Sequence, residues 1–117
     1  MAVRRIVANI ATENIEAAQH FYGEILGLEI LMDLTWIRTY GNDNKMPVQI
    51  SFATEGGSGT PVPDISIEVD HVDEIHDKMN AAGFSVIYGP VNEPWGVRRF
   101  YVTDPLGKTI NVLSHTY

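Results

Sequence analysis

Apolar side chains recur along this chain with two spacings, and the switches between them mark its elements. Residues 3–11 alternate, as in a strand with one covered face. Asn14 can cap a helix, and Ile15, Ala18, Tyr22 and Ile25 follow at helical spacing until Gly27 ends it. Residues 28–34 and 35–41 predict two strands joined by a tight bend, 42–45 a loop and 47–54 a further strand. The run 55–63, with Gly56-Gly57-Ser58-Gly59 inside it, has the composition of a linker.

The pattern then returns. Ile65, Ile67 and Val69 alternate across 64–70, Asp70 or His71 can cap a second helix with the stripe Val72, Ile75, Met79 and Ala82, and Gly83 ends it. Residues 93–115 read as a loop around Trp95, punctuated by Pro94 and Gly96, then a strand, a tight turn and a second strand. Asp104-Pro105-Leu106-Gly107 has the residues a β-turn wants at its first, second and fourth positions. Alternation puts Phe100 and Val102 on one face and Arg99 and Tyr101 on the other, then Ile110 and Val112 opposite Thr109, Asn111 and Leu113. The helix stripes lie at 15, 18, 22, 25 and 72, 75, 79, 82, an offset of 57 that also carries Ala8 onto Ile65 and Ile10 onto Ile67. Strand and helix sharing one register predict a duplication. Two β-α-β-β-β modules, 1–56 and 63–117, are joined by a linker at 57–62. The expected fold is α+β: one cup-shaped mixed sheet with the helices outside, since each helix covers only one face of its strands.

Composition narrows the function. A chain of 117 residues suits one domain, and 44% hydrophobic with 20% charged residues suits a packed fold over disorder. The absence of cysteine excludes disulfides, thiolate zinc sites and a cysteine nucleophile, and is compatible with the cytoplasm, the expected location. No apolar run approaches the ~18 residues that span a bilayer, and the N-terminal Met-Ala-Val-Arg-Arg lacks a signal peptide's apolar core, so no membrane partner is expected. A net charge of −7 with eight scattered Lys and Arg argues against nucleic acid; such a field favours cationic ligands, though the same charge equally serves plain solubility.

Several stretches together make the chain resemble the vicinal oxygen chelate superfamily, which contains glyoxalase I, fosfomycin-modifying enzymes, extradiol dioxygenases and bleomycin-resistance proteins. They are Asn14-Ile15-Glu16-Ala17-Ala18 leading to Phe21-Tyr22 and Leu26-Gly27-Leu28-Glu29, Ile65 to Val69, Ala81-Ala82-Gly83, Trp95-Gly96 and the Asp104 turn. The resemblance covers essentially the whole chain. It implies metal ligands, commonly His, Glu or Gln, on the first and last strands of each half. Carried over by register, those positions fall on Val7, on Gln49 or Ser51, on Asp64 and on Asn111, where a Glu normally follows the turn. Valine cannot ligate and asparagine is a weak neutral donor, so this departure implies neither metal nor cofactor. His20 and His76 lie off the helix stripes and His71 at a helix start, while His115 is four strand residues from Asn111, ~13 Å away. The metal-free branch of the family includes small dimeric proteins that sequester bleomycin-like or mitomycin-like antibiotics, so a homodimer is expected.

The cup's expected ligand-binding lining is Trp36, Tyr40, Gln49, Ser51, Asp64, Glu68, Trp95, Arg99, Tyr101 and Asn111, with Trp95 foremost. Aromatic faces beside Asp64 and Glu68 suit a planar or cationic molecule. Trp36 and Tyr40 equally suit packing in an interface or under a loop, and Arg99 a salt bridge at a strand edge. The expected function is metal-independent binding of a small organic ligand, as in antibiotic sequestration, with no catalytic residue. Two alternatives belong to a different class. One is a divalent-metal-dependent lyase or dioxygenase. The other is a metal-free enzyme using Asp64 or Glu68 as base, with Arg99 steadying an oxyanion.

Overall fold

The structure, a computed structural model, describes residues 8, 10–34, 36–42 and 52–116. The strand expected at 3–11 and most of the one at 47–54 lie outside these, and so do Val7, Gln49 and Ser51. Among the described residues the strands are β1 (Glu29–Leu34), β2 (Ile37–Gly41), β3 (Ile65–Glu68), β4 (Val86–Glu93), β5 (Val97–Thr103) and β6 (Thr109–His115), with helix α1 (Val72–Ala81) between β3 and β4. The fold is mixed α+β, as the spacing predicts.

The second half runs β3-α1-β4-β5-β6 and forms a four-stranded sheet in the order β3-β6-β5-β4. β3 lies parallel to β6, Ser66 opposite Asn111, which the crossover through α1 makes possible. β5 and β6 pair antiparallel without a slip from Val97↔His115 to Thr103↔Thr109. Asp104 makes their turn: its Oδ1 accepts from the amides of Leu106 (2.9 Å) and Lys108 (2.8 Å). β4 carries two register breaks against β5, one on each side of Tyr88, and the second contains Gly89. Gly89 has φ +73°, and a Cβ there would run into the Arg99 carbonyl, so the position needs glycine twice over.

Alternation explains which face of this sheet is covered. Phe100, Val102, Ile110 and Val112 turn toward α1, where Val72 and Met79 meet them, and Phe21, Tyr22 and Ile25 complete the core. Burying such a set is the main stabilising term, about 1.5–3 kcal/mol for each large side chain. Ala82, expected on the α1 stripe, is exposed, because the helix closes at Ala81 and Gly83 turns the chain away with φ +85°. His71 stands at the α1 N-cap without a side-chain capping bond.

In the first half the expected helix is tighter, then wider, than an α-helix. A 3-10 turn at Ile15–Ala17 leads into a π-type segment, Gln19–Ile25, where the Leu26 amide reaches five residues back to the Phe21 carbonyl. Gly23 lies inside it, a residue that weakens ordinary helix by about 1 kcal/mol against alanine. The stripe still works: Tyr22 and Ile25 are buried, and Ile15 and Ala18 half-buried. β1 and β2 form a separate antiparallel hairpin with a bulge at Leu31, and every residue of β1 is exposed.

A side-chain hydrogen bond ties the first helical segment to the second half. The Tyr22 hydroxyl donates to Asp104 Oδ2 at 2.6 Å, tying the first helical segment to the β5–β6 turn. Burial, reinforced by that carboxylate, pushes the Tyr22 phenol far above its usual range, so it remains a donor.

Candidate functional site

Where the first helical segment, the β1–β2 hairpin, β3 and the Asp104 turn meet, they enclose a cavity of about 670 Å³. That is the size of a small-molecule site. Its walls are mostly apolar, with Ile15, Leu28, Ile37, Ile65 and Ile67 among them. Tyr22 and Tyr40 also line it, their ring centroids 6.3 Å apart and tilted by 37°. Trp36, at the hairpin's turn, stands 73% exposed on the rim. An exposed indole beside an apolar hollow is a face to which a flat molecule can add area.

The cavity's one charged lining residue among the described residues is Arg38. Glu16 grips its guanidinium through both Nη atoms, with Nη2 at 2.8 Å and Nη1 at 3.3 Å. Asp33, its cross-strand neighbour, adds a second carboxylate 3.2 Å from Nη2. Nη1 also reaches the Tyr40 hydroxyl at 3.5 Å, and that hydroxyl donates to Gln19 Oε1. Bonding to Tyr40 and to the two carboxylates holds Arg38 above its already high pKa, so it stays charged. Its Nε is buried with no acceptor among the described residues.

Arg99 is the hub of a second cluster, on the sheet face away from α1. Its Nε donates to Glu93 at 2.8 Å and Nη2 lies 2.6 Å from the same carboxylate, side chains only 4% and 3% exposed. Nη1 donates to the Gly56 carbonyl (2.8 Å) and the Tyr101 hydroxyl (3.1 Å), and Nη2 to the Gly57 carbonyl (3.2 Å). Its guanidinium carbon sits 5.0 Å from the ring centres of Trp95 and Tyr101 and 5.4 Å from Tyr88. Burial pushes the Glu93 carboxyl up, but bonds from Tyr88, Arg99 and Ser58 and the Arg99 charge outweigh it, leaving Glu93 below the usual range. The glycine-rich stretch is therefore an anchored turn, closed by Gly56 N–H to the Thr60 carbonyl at 2.8 Å. Trp95 packs on it so closely that a Cβ at Gly57 would meet the indole at 2.6 Å.

The remaining predicted residues sit along β3 and β6. Asn111 Nδ2 donates to Ser66 Oγ at 3.1 Å, and its Oδ1 is buried without a partner among the described residues. Asp64 Oδ2 accepts from the Thr109 amide at 2.8 Å. Glu68 lies 2.9 Å from His115. As metal donors the described residues fit poorly. Of the positions where the resemblance places ligands, the described ones, Asn111 and Asp64, offer one amide and one carboxylate already holding a backbone amide, and no three His, Asp or Glu among the described residues gather round a point.

The structure thus distributes the ten expected lining residues. Trp36 and Tyr40 line the cavity, Trp95, Arg99 and Tyr101 gather at the anchored loop, Asp64, Glu68 and Asn111 lie on the β3–β6 ladder, and Gln49 and Ser51 fall outside the described residues. Sequence reasoning missed Arg38, Tyr22 and Glu93. Arg38 had a signal: it stands between Trp36 and Tyr40 at strand spacing, sharing their face. Glu93 had a weaker one, facing the same side as Arg99 only once the β4–β5 hairpin is paired.

Comparison with known proteins gives three findings. A model described as the Glyoxalase/Bleomycin resistance protein/Dioxygenase superfamily matches residues 5–112. No curated protein matches. Among solved structures, the chain is similar to TioX from Micromonospora sp. ML1, with 20% identity over 96% of each chain and a TM-score of 0.63. It is as similar to TnmS3, an antibiotic binding protein from Streptomyces sp. CB03234, with 24% identity over 98% of this chain and 96% of that one and the same TM-score of 0.63. Lactoylglutathione lyase from Agrobacterium tumefaciens has 20% identity, 97% and 92% coverage and a TM-score of 0.62. At such identities the likeness is one of fold.

Proposed function

The chain belongs to the glyoxalase/bleomycin resistance/dioxygenase superfamily, and on that premise we propose that it is a metal-independent binding protein for a planar organic molecule, held in the cavity between Trp36, Tyr40 and the apolar walls. The cavity itself carries this reading: about 670 Å³ lined mainly by apolar and aromatic side chains. Binding works by stacking and by removing apolar surface from water, and it lowers the free concentration of the bound compound by mass action. TnmS3, of like fold, is an antibiotic binding protein, which supports sequestration as the role. The lyase is just as near in fold, so the choice between binding and metal chemistry rests on the donor set, and the donors at Asp64 and Asn111 favour binding. The expected attraction for cations weakens, because Asp64 and Glu68 are each already engaged within the chain. The reading includes a homodimer, since β1 leaves Ile30, Leu31, Met32 and, beyond Asp33, Leu34 exposed.

A thermal-shift screen of planar aromatic compounds against EDTA-treated protein tests this. A compound at 100 times its Kd should stabilise the fold by about 2.7 kcal/mol. Trp36→Ala should weaken it about tenfold, the loss of one aromatic contact with its buried area. Stabilisation that appears only after Ni²⁺, Zn²⁺, Mn²⁺ or Fe²⁺ is restored would contradict the proposal.

A further inference from the structure

A glycine inside a helical segment weakens it, so its presence raises the question of what needs the room. Gly23 stands within Gln19–Ile25, and its backbone is not of the left-handed kind that favours glycine. An amide occupies the place of its missing side chain. A Cβ built there would meet Gln19 Nε2 at 2.7 Å, Cδ at 3.0 Å and Oε1 at 3.2 Å. A swing of that amide would relieve the crowding, and a flexible side chain can make it. The Gln19 amide in turn holds a cavity wall. Its Oε1 accepts from the Tyr40 hydroxyl at 3.1 Å, whereas Arg38 Nη1 reaches that hydroxyl only at 3.5 Å, the outer limit of a hydrogen bond. Tyr22, the facing ring, is fixed in the same way by Asp104 at 2.6 Å. Both rings are therefore pinned at their hydroxyls, and the wedge between them keeps its 6.3 Å spacing and 37° tilt before any ligand arrives.

Resting on the reading of the cavity as a planar-ligand site, we infer that Gln19 and Gly23 are positioning residues for the ligand, although neither lines the cavity. Gln19 holds the Tyr40 ring in the orientation the ligand meets, and Gly23 leaves the space from which the Gln19 amide does so. A ring held beforehand loses little freedom on binding. A ring free to turn loses it at that moment, and affinity falls. A methyl group added at position 23 therefore has two opposite effects. It removes the helical penalty of glycine and stabilises the fold, while it pushes the Gln19 amide off Tyr40 and weakens the ligand. A residue that served packing alone would move both in one direction.

Equilibrium dialysis with 2-acetonaphthone, a flat aromatic ketone, and urea denaturation of the same proteins test this. Gln19→Ala should bind about fivefold more weakly than the wild type, the cost of one side chain ordered on binding. Gly23→Ala should lose about the same affinity while its urea midpoint rises. Because Gly23 acts through Gln19, the double variant Gly23→Ala/Gln19→Ala should also bind about fivefold more weakly, rather than about twenty-fivefold. Gln19→Glu keeps an acceptor for the Tyr40 hydroxyl and should bind within about twofold of the wild type. Gly23→Ala binding as tightly as the wild type, or losses that multiply in the double variant, would overturn the inference and leave the planar-ligand reading standing. So would a fall in the Gly23→Ala midpoint, or unchanged binding by Gln19→Ala. Failure of the wild type to bind the ketone would overturn both.

Discussion

Arg99 and Glu93 are bound to one another, to a turn and to three rings, out of reach of water. Removing one partner strands the other's charge, so Arg99→Ala should cost about 3–5 kcal/mol in urea denaturation. The pair also fixes a pH dependence. The folded-state carboxyl of Glu93 is held below its unfolded value, so its contribution is present above the unfolded pKa, about 4.3, and is lost as pH falls through the folded pKa. The urea midpoint of the wild type should therefore fall more steeply below pH ~4.3 than that of Glu93→Gln. Asp73, lowered by its bond to Arg98, contributes with the same sign in both proteins and cancels from the difference. Equal slopes would show that Glu93 titrates normally. Alternation shows in the sequence that Arg99 and Tyr101 share a face with Asn111. It is silent on the loop that covers Arg99, because Gly56 and Gly57 act through their carbonyls, which every residue has.

Elements were legible where one face is buried and the other is not. The alternation predicts strands over 97–103 and 108–115; β5 covers the first and β6 starts one residue into the second, because Phe100, Val102, Ile110 and Val112 alternate without a break. Where packing overrides local preference the pattern says less. The widening at Gln19–Ile25 and the breaks on either side of Tyr88 leave no mark in the spacing of apolar residues. Glycine gives a graded test of the latter. Gly27 and Gly89 both have positive φ, but a Cβ at Gly27 meets nothing whereas one at Gly89 meets the β5 backbone. Gly27→Ala should cost about 1–2 kcal/mol, the left-handed penalty alone. Gly89→Ala should cost clearly more in the same melting experiment, since a strand backbone cannot step aside. Equal costs would mean that β4 relaxes freely.

For the whole molecule, the cup expected from the two modules is seen in the described residues as a four-stranded sheet, a separate hairpin and a cavity between them. The candidate site was half legible. Aromatic residues such as Trp36 and Tyr40 can be picked out by type, but which of them face one hollow depends on how the halves meet, and the Tyr22–Asp104 bond between them spans 82 residues. The proposed homodimer follows from the exposed apolar side chains on β1. Light scattering should give twice 13.0 kDa for the wild type, and Met32→Glu should shift it toward the single-chain mass. A wild-type monomer at high concentration would remove that part of the account.

The chain's two tryptophans can show where a ligand binds, since one borders the cavity and the other, 50% exposed, packs on the anchored loop. Their indole N–H signals in a ¹⁵N–¹H correlation spectrum report separately on the two places. On titrating EDTA-treated protein with 2-acetonaphthone, a planar aromatic ketone, the Trp36 signal should move and saturate while the Trp95 signal stays. A shift at Trp95 alone, or shifts that require an added divalent metal, would contradict it.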